Sequence, residues 1–179
     1  SKASADHLVM SWNKTYQLPI LITNCSNNYG PYQYCEKLIP LTILNAVNGI
    51  KIPIYKDGLQ VRDWLFVEDH AEVLYKLVMS GEINETYNIG GNNQLKNIDV
   101  VNKICEILDY LIYNKPNNIN SYKELIMFVK DRPGHDEIYG INNTKISRTL
   151  CWEAKTNFEN GLKKTVSWYV ENMEYYSLN

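Results

Sequence analysis

Arginine is nearly missing from this 179-residue chain, where Arg62, Arg132 and Arg148 are the only three in a basic complement otherwise made of lysine. With a formal net charge of −2 and no long basic run, the sequence lacks the electrostatic footprint of a nucleic-acid binder. Four cysteines, Cys25, Cys35, Cys105 and Cys151, form no C-x-x-C pair, which argues against a disulfide framework or a zinc site, and no metal is expected. No apolar run approaches the roughly 20 residues that span a bilayer, and no signal peptide opens the chain, so no membrane partner is expected and a cytoplasmic protein is the default. No glycine-rich strand-to-helix turn of the G-x-G-x-x-G kind occurs either. Gly30 and the pair Gly90-Gly91 do not fit that spacing, and a complete dinucleotide-binding domain is not expected within these residues. Asn, Lys and Ile are abundant, a compositional bias under which tracts such as "NKPNNIN" (114–120) read as solvated loop.

What is present is ordinary for a globular protein: 45% hydrophobic and 21% charged residues. In "SKASADHLVMSWNKTY", Ala5, Leu8, Val9, Trp12 and Tyr16 recur at helical spacing, predicting an amphipathic helix. "LPILITNCS" predicts a short, fully buried strand of the kind found in parallel sheets. A helix is expected around Pro40–Asn48, closed by Gly49, and residues 50–67 read as two strands around a turn at Lys56-Asp57-Gly58. Further helices are expected over 68–81, acidic at its start and closed near Gly81, and over 97–111, with Ile98, Val101, Ile104, Cys105 and Leu108 buried. "TYNIGG" (86–91) reads as a strand and "MFVKDRPGHD" (127–136) as extended. Helices are expected at Thr144–Leu150 and from about Asn157 to Tyr175, the latter with Phe158, Leu162, Val166 and Tyr169 on one face. Alternating strands and helices predict an α/β protein with at least part of a parallel sheet.

Ligands of open α/β sheets bind beyond the carboxyl ends of the strands, where "CSNNYGP" lies. Asn27 and Asn28 each carry a donor and an acceptor, suited to sugar hydroxyls or a carboxamide; a plain polar turn is the other reading. Cys25 beside them needs no role beyond that of a small buried hydrophobe.

Read together, these stretches resemble one family. "SKASADH" is similar to the end of the Tyr-x-x-x-Lys motif of extended short-chain dehydrogenases, with Lys2 as its lysine. "NCSNNYGPYQYCEKLIP", "IPIYKDGLQVRDWLFVEDHA", "TYNIGGNNQLKNIDVV" and "VKDRPGHD" resemble, in order and over essentially the whole chain, stretches of the dTDP-glucose 4,6-dehydratases. The resemblance implies the carboxy-terminal part of an NAD-binding Rossmann-type fold with a smaller α/β sugar-nucleotide-binding domain, its amino-terminal half absent. Residues 1–30 would close the Rossmann-type core, and 31–179 would be mainly substrate-binding, with some segments returning to the core.

The implied reaction uses tightly bound NAD to oxidise dTDP-glucose at C4, eliminates water across C5 and C6, and returns hydride at C6. Lys2 would be catalytic and cofactor-binding, lowering the pKa of the motif tyrosine because an ammonium favours a nearby phenolate. That tyrosine, four residues earlier, would fall before Ser1, with the NAD-binding glycines and the acid–base residues of the elimination. The chain alone is therefore expected to be inactive.

By the same resemblance, Asn28 would meet the nicotinamide end of NAD and Asn27 the sugar nucleotide. Lys37 and Leu38 fall at substrate positions, and Pro53, Ile54 and Tyr55 form a wall for the thymine. Arg62 and Arg132 would hold the diphosphate, a task suited to guanidinium forks, with Asn97, Asp131 and His135 completing the nucleotide site. His7 and His70 read as structural, while Asp63, Glu68 and Asp69 either orient Arg62 or cap a helix. A homodimer is expected of the full-length family member. The alternatives are a UDP-sugar 4,6-dehydratase, epimerase or decarboxylase on the same fold, or a non-catalytic nucleotide-sugar-binding remnant.

Overall fold

The structure is a computed structural model that describes residues 1–177. Helix α1 (Lys2–Tyr16) leads through strands β1 (Leu21–Cys25) and β2 (Asn27–Tyr29) to α2 (Leu38–Val47). Strands β3 (Ile52–Tyr55) and β4 (Val61–Phe66) precede α3 (Val67–Ser80), β5 (Glu85–Ile89), β6 (Gln94–Lys96) and α4 (Asn97–Leu111). Two short 3-10 turns, Pro116–Asn118 and Tyr122–Leu125, lead to β7 (Ile126–Val129) and β8 (Ile138–Tyr139). Helices α5 (Thr144–Leu150), α6 (Phe158–Glu171) and α7 (Met173–Ser177) follow.

The α/β class holds, and three strand pairs are parallel: β1 with β5, β2 with β4, and β3 with β7. Strand β4 also pairs antiparallel with β6 and parallel with β8. Its residues 62–66 are all buried, and successive side chains serve opposite faces. Trp64 and Phe66 enter a core built with α2, β3, α4 and α6, including Ile43, Ile54, Ile104 and Leu162. Leu65 enters a second core with Val73, Leu77, Tyr87, Ile89, Ile146 and Trp152.

Local chemistry sets several boundaries. Helix α2 ends where Gly49 takes φ +67°, and the Gly49 and Ile50 amides return to the Ala46 and Asn45 carbonyls at 2.9 and 2.8 Å. That pair of bonds satisfies carbonyls that the last turn leaves without helical partners. The second 3-10 turn opens on a capping box between Ser121 and Glu124. Asp109 of α4 anchors it, accepting from Ser121 Oγ at 2.6 Å and from the Tyr122 amide at 3.0 Å.

Several expectations need correction. Helix α1 is present, yet none of its residues is buried, and Leu8, Trp12 and Tyr16 are 60%, 53% and 70% exposed. Strand β1 is not fully buried: Thr23 and Asn24 are exposed, and among the described residues β5 is its one strand neighbour. The strands either side of Lys56-Asp57-Gly58 do not pair with each other, since β3 takes β7 and β4 takes β2, β6 and β8. The extended stretch from 127 stops at Val129, ahead of a loop that turns at Gly134 with φ +68°. The last long helix breaks at Asn172, and in α4 Val100 is fully buried whereas Ile98 is only partly so.

One glycine is fixed by close approach. A Cβ on Gly91 would lie 1.9 Å from the Trp64 carbonyl oxygen and 3.0 Å from Leu65 Cα, backbone atoms of the doubly buried strand. Gly91→Ala is therefore expected to destabilise the fold by roughly 1–3 kcal/mol, as overpacking does where the neighbours cannot move aside. Chemical denaturation would measure the loss, and an unchanged midpoint would contradict this packing.

Candidate functional site

Parallel pairing of β3 with β7 sets Tyr55 opposite Val129, and the Lys56 amide donates to the Val129 carbonyl at 2.8 Å. Two sequence-distant segments, the turn after β3 and the loop 130–137, thus leave the sheet side by side. Pleating divides the three expected wall residues. Tyr55 is 48% exposed and Pro53 partly so, but Ile54 is 2% exposed and packs into the core. The Ile54 side chain thus belongs to the core, and its backbone is what the strand leaves beside Pro53 and Tyr55.

His135 lies against Tyr55, the rings edge to face with centroids 5.9 Å apart and an interplanar angle of 82°. The His135 Nδ1–H donates to Asp131 Oδ1 at 2.7 Å, and the same oxygen accepts the Arg132 amide at 2.9 Å. The hydrogen bond from His135 holds the Asp131 carboxyl below its usual range, helped by the Arg132 amide and the charge of Lys56. Asp131 thus closes its own loop, leaving Arg132 exposed upon it.

Arg62 is 8% exposed, its Nη1 donating to the Val61 carbonyl and its Nη2 to the Asp136 carbonyl, both at 2.8 Å. Burial lowers its pKa, Asp136 counteracts, and the charge of Arg132 lowers it further. The two arginines are therefore electrostatic neighbours, and the second of them is carried by the loop that holds Asp131 and His135. Beside this group lies a cavity of about 330 Å³ bordered by Lys56, Asp57, Gln60, Asp131, His135 and Glu137. Asn97 opens α4, and its amide donates to the Gln60 carbonyl at 3.0 Å.

A second cluster surrounds β2. Asn28 Nδ2 donates to Cys25 Sγ at 3.1 Å and to the Ser26 carbonyl at 3.4 Å, and the Asn28 carbonyl accepts from Gln33 Nε2 at 2.8 Å. Tyr32, at φ +62°, packs against Trp168 with the rings tilted by 52° and centroids 4.4 Å apart. Tyr169 donates its hydroxyl to the Gln33 carbonyl at 2.6 Å. Helix α6 thus clamps the segment 30–37 that leads to Lys37 and Leu38. Lys37 is exposed and lies 3.1 Å from Glu36, whereas Leu38 packs on the first core. Asn27 stands beside Asn28, paired with Trp64. Lys2 is exposed at the start of α1, and no hydrogen bond or ion pair joins it to either cluster.

Several buried polar atoms have no hydrogen-bond partner, among them Asn28 Oδ1, Gln33 Oε1, Gln60 Oε1 and Asn97 Oδ1. Native interiors rarely leave such atoms unsatisfied without a ligand, ion or water to complete them. Gln33 and Gln60 were missed in the sequence, although Gln60 stands two positions before Arg62, where strand periodicity assigns both to one face. Asp63 and Asp69 hold backbone amides. Asp63 does not orient Arg62: it accepts the Gly91 and Asn93 amides at 2.8 and 2.7 Å. Asp69 accepts the Thr156 amide at 2.9 Å.

The family model described as GDP-mannose 4,6 dehydratase matches residues 1–165. The chain belongs to that family. It is 56% identical over 176 residues to dTDP-glucose 4,6-dehydratase of Escherichia coli, covering 98% of this chain and 49% of that one. Among solved structures, dTDP-glucose 4,6-dehydratase from Bacillus anthracis, in complex with NAD, is 48% identical with a TM-score of 0.84. That match covers 97% of this chain and 52% of that one. The enzyme of the same name from Streptomyces venezuelae, with NAD and dTDP bound, is 37% identical with a TM-score of 0.86, over 97% of this chain and 51% of that one. The chain thus spans about half the length of the relatives it matches, and the resemblance read from its motifs is to the proteins that bear this name. No helix among the described residues is long and apolar enough to cross a membrane.

Tyr169→Phe removes the hydroxyl that holds Gln33 and leaves a carbonyl without its donor. The expected cost is about 1 kcal/mol, with faster proteolysis within 30–37 and little change elsewhere. Limited proteolysis with peptide mapping checks this, and equal cleavage rates would show that the clamp does not hold the segment.

Proposed function

We propose that, at the full length of its relatives, this protein is an NAD-dependent dTDP-glucose 4,6-dehydratase. In this reading it is a lyase of deoxysugar precursor biosynthesis that yields dTDP-4-keto-6-deoxyglucose and water. These 179 residues supply the sugar-nucleotide side. The observation that carries the reading is the grouping of Tyr55, Arg62, Asp131, Arg132 and His135: β3–β7 pairing brings Tyr55 beside the loop whose Asp131 and His135 border the cavity, and β4 sets Arg62 against Asp136 of that loop. That most of the chain is 56% identical to a protein of this name supports it.

Arg62 is held ready by two backbone carbonyls, which fixes the plane of its guanidinium before a diphosphate arrives. Arg132 brings a second cation on an exposed loop, which Asp131 shapes. The thymine wall is the Tyr55 ring together with Pro53 and the Ile54 backbone, and Asn97 borders the same region. Asn27, Lys37 and Leu38 serve the sugar and its nearest phosphate.

For NAD the chain offers a chemical fit at Asn28, whose buried Oδ1 lacks a partner of the kind a carboxamide N–H would be. When bound, NAD supplies the hydride acceptor for oxidation of the sugar and the donor for its later reduction. Lys2 holds the nicotinamide ribose and lowers the pKa of the base, a tyrosine one helical turn earlier. The core around β1, β5, α3 and α5 is the cofactor side, and the larger core is the substrate side. The apolar residues exposed along α1 support a homodimer of the full-length protein.

Two outcomes follow. The 179-residue chain by itself forms no 4-keto-6-deoxy product, because a positioned base is required; product formed by purified chain would overturn that assignment. In the full-length protein, Arg62→Lys and Arg132→Lys each weaken dTDP binding about tenfold or more, since an ammonium cannot reproduce the guanidinium fork. Thymidine, which has no phosphate, binds both variants as it binds the parent. Calorimetry measures this, and unchanged dTDP affinity in both variants would make the arginines structural.

A further inference from the structure

Gln60 borders the 330 Å³ cavity, is 6% exposed, and has a buried Oε1 with no hydrogen-bond partner. No side-chain hydrogen bond of Gln60 occurs among the described residues, although its backbone carbonyl is engaged by the Asn97 amide at 3.0 Å. Burying a carboxamide in this state is unfavourable in the protein alone and becomes favourable once something else pairs with it.

The cavity wall indicates which part of a nucleotide enters. Asp57, Asp131 and Glu137 place three carboxylates around the opening against Lys56 and His135. Phosphate is repelled there and finds its cations at Arg62 and Arg132 instead. An uncharged group with hydrogen-bonding edges suits the space, and His135 of its wall stands edge to face with the Tyr55 ring, an aromatic surface next to the cavity. A carboxamide presents an acceptor beside a donor, matching the imide edge of a pyrimidine, where an N–H stands beside a carbonyl.

We infer that Gln60 is a further nucleotide-binding residue, which recognises the N3–H edge of the pyrimidine base in this cavity. The inference rests on the reading of the chain as the nucleotide side of a dehydratase, and it adds a specificity residue that the motif comparison did not assign.

The test uses the full-length protein, the Gln60→Leu variant, dTDP, and dTDP methylated at N3, with calorimetry and thermal melts. The parent should bind dTDP roughly three- to tenfold more tightly than the N3-methylated form, the range of one neutral hydrogen bond. Gln60→Leu should lose a similar factor for dTDP and should no longer distinguish the two nucleotides. Without nucleotide its melting temperature should equal or exceed that of the parent, because no protein hydrogen bond is lost. Equal binding of both nucleotides by the parent overturns the inference whatever the variant does. So does a variant that binds dTDP like the parent, or one that melts markedly lower or does not fold, since Gln60 would then have a partner within the protein. If the parent binds no dTDP at all, the dehydratase reading itself fails.

Discussion

Burial of strand β4 on both faces is the constraint on which the rest of the structure depends. Each residue from Arg62 to Phe66 is buried, and alternation sends Trp64 and Phe66 to one core and Leu65 to the other. No shift of register is tolerable there, because a slip by one position would exchange the contents of two packed interiors. The charged residues of the strand are tied down as firmly as its apolar ones. Asp63 binds two amides of the turn after β5, and Arg62 binds the carbonyls of Val61 and Asp136. Gly91 lies so close to Trp64 and Leu65 that the turn and the strand act as one body.

The candidate site inherits that rigidity. Its cations and aromatic face lie on or next to β3, β4 and β7, and the loop that carries Arg132 and His135 is closed by Asp131 and fixed to β4 through the Arg62–Asp136 contact. A site so supported is ready before its ligand arrives, which reduces the ordering cost of binding. What the protein leaves undone is equally specific. The unpartnered oxygens of Asn28, Gln60 and Asn97 are carboxamide acceptors, able to receive an N–H or a hydroxyl without carrying charge.

The two ends of the chain contrast with this interior. Helix α1 holds no buried residue and is tied by Asn13, which donates to the Leu18 carbonyl and to Asn84 Oδ1, both at 2.7 Å. At the other end α6 buries Phe158, Leu162, Val166 and Tyr169, and through Tyr169 and Trp168 fixes the segment after β2. Order in the segment after β2 therefore comes from the last long helix, more than a hundred residues away in sequence.

The sequence by itself determined the α/β class, most helix positions and the residue types of the candidate site. These are local properties: apolar periodicity survives in any context, Gly49 acts within a turn, and arginine in a lysine-rich chain marks itself. The tertiary structure alone decided which strands pair, so that a turn between β3 and β4 joins strands that ignore each other, and 53–55 meets 127–129 instead. It also decided that Ile54 faces the core, that Asp63 staples a turn, and that Gln60 stays unpaired in a cavity. The physical reason is common to all of these. Pairing, burial and hydrogen-bond satisfaction are sums over neighbours distant in the chain, and no single stretch of residues contains those neighbours.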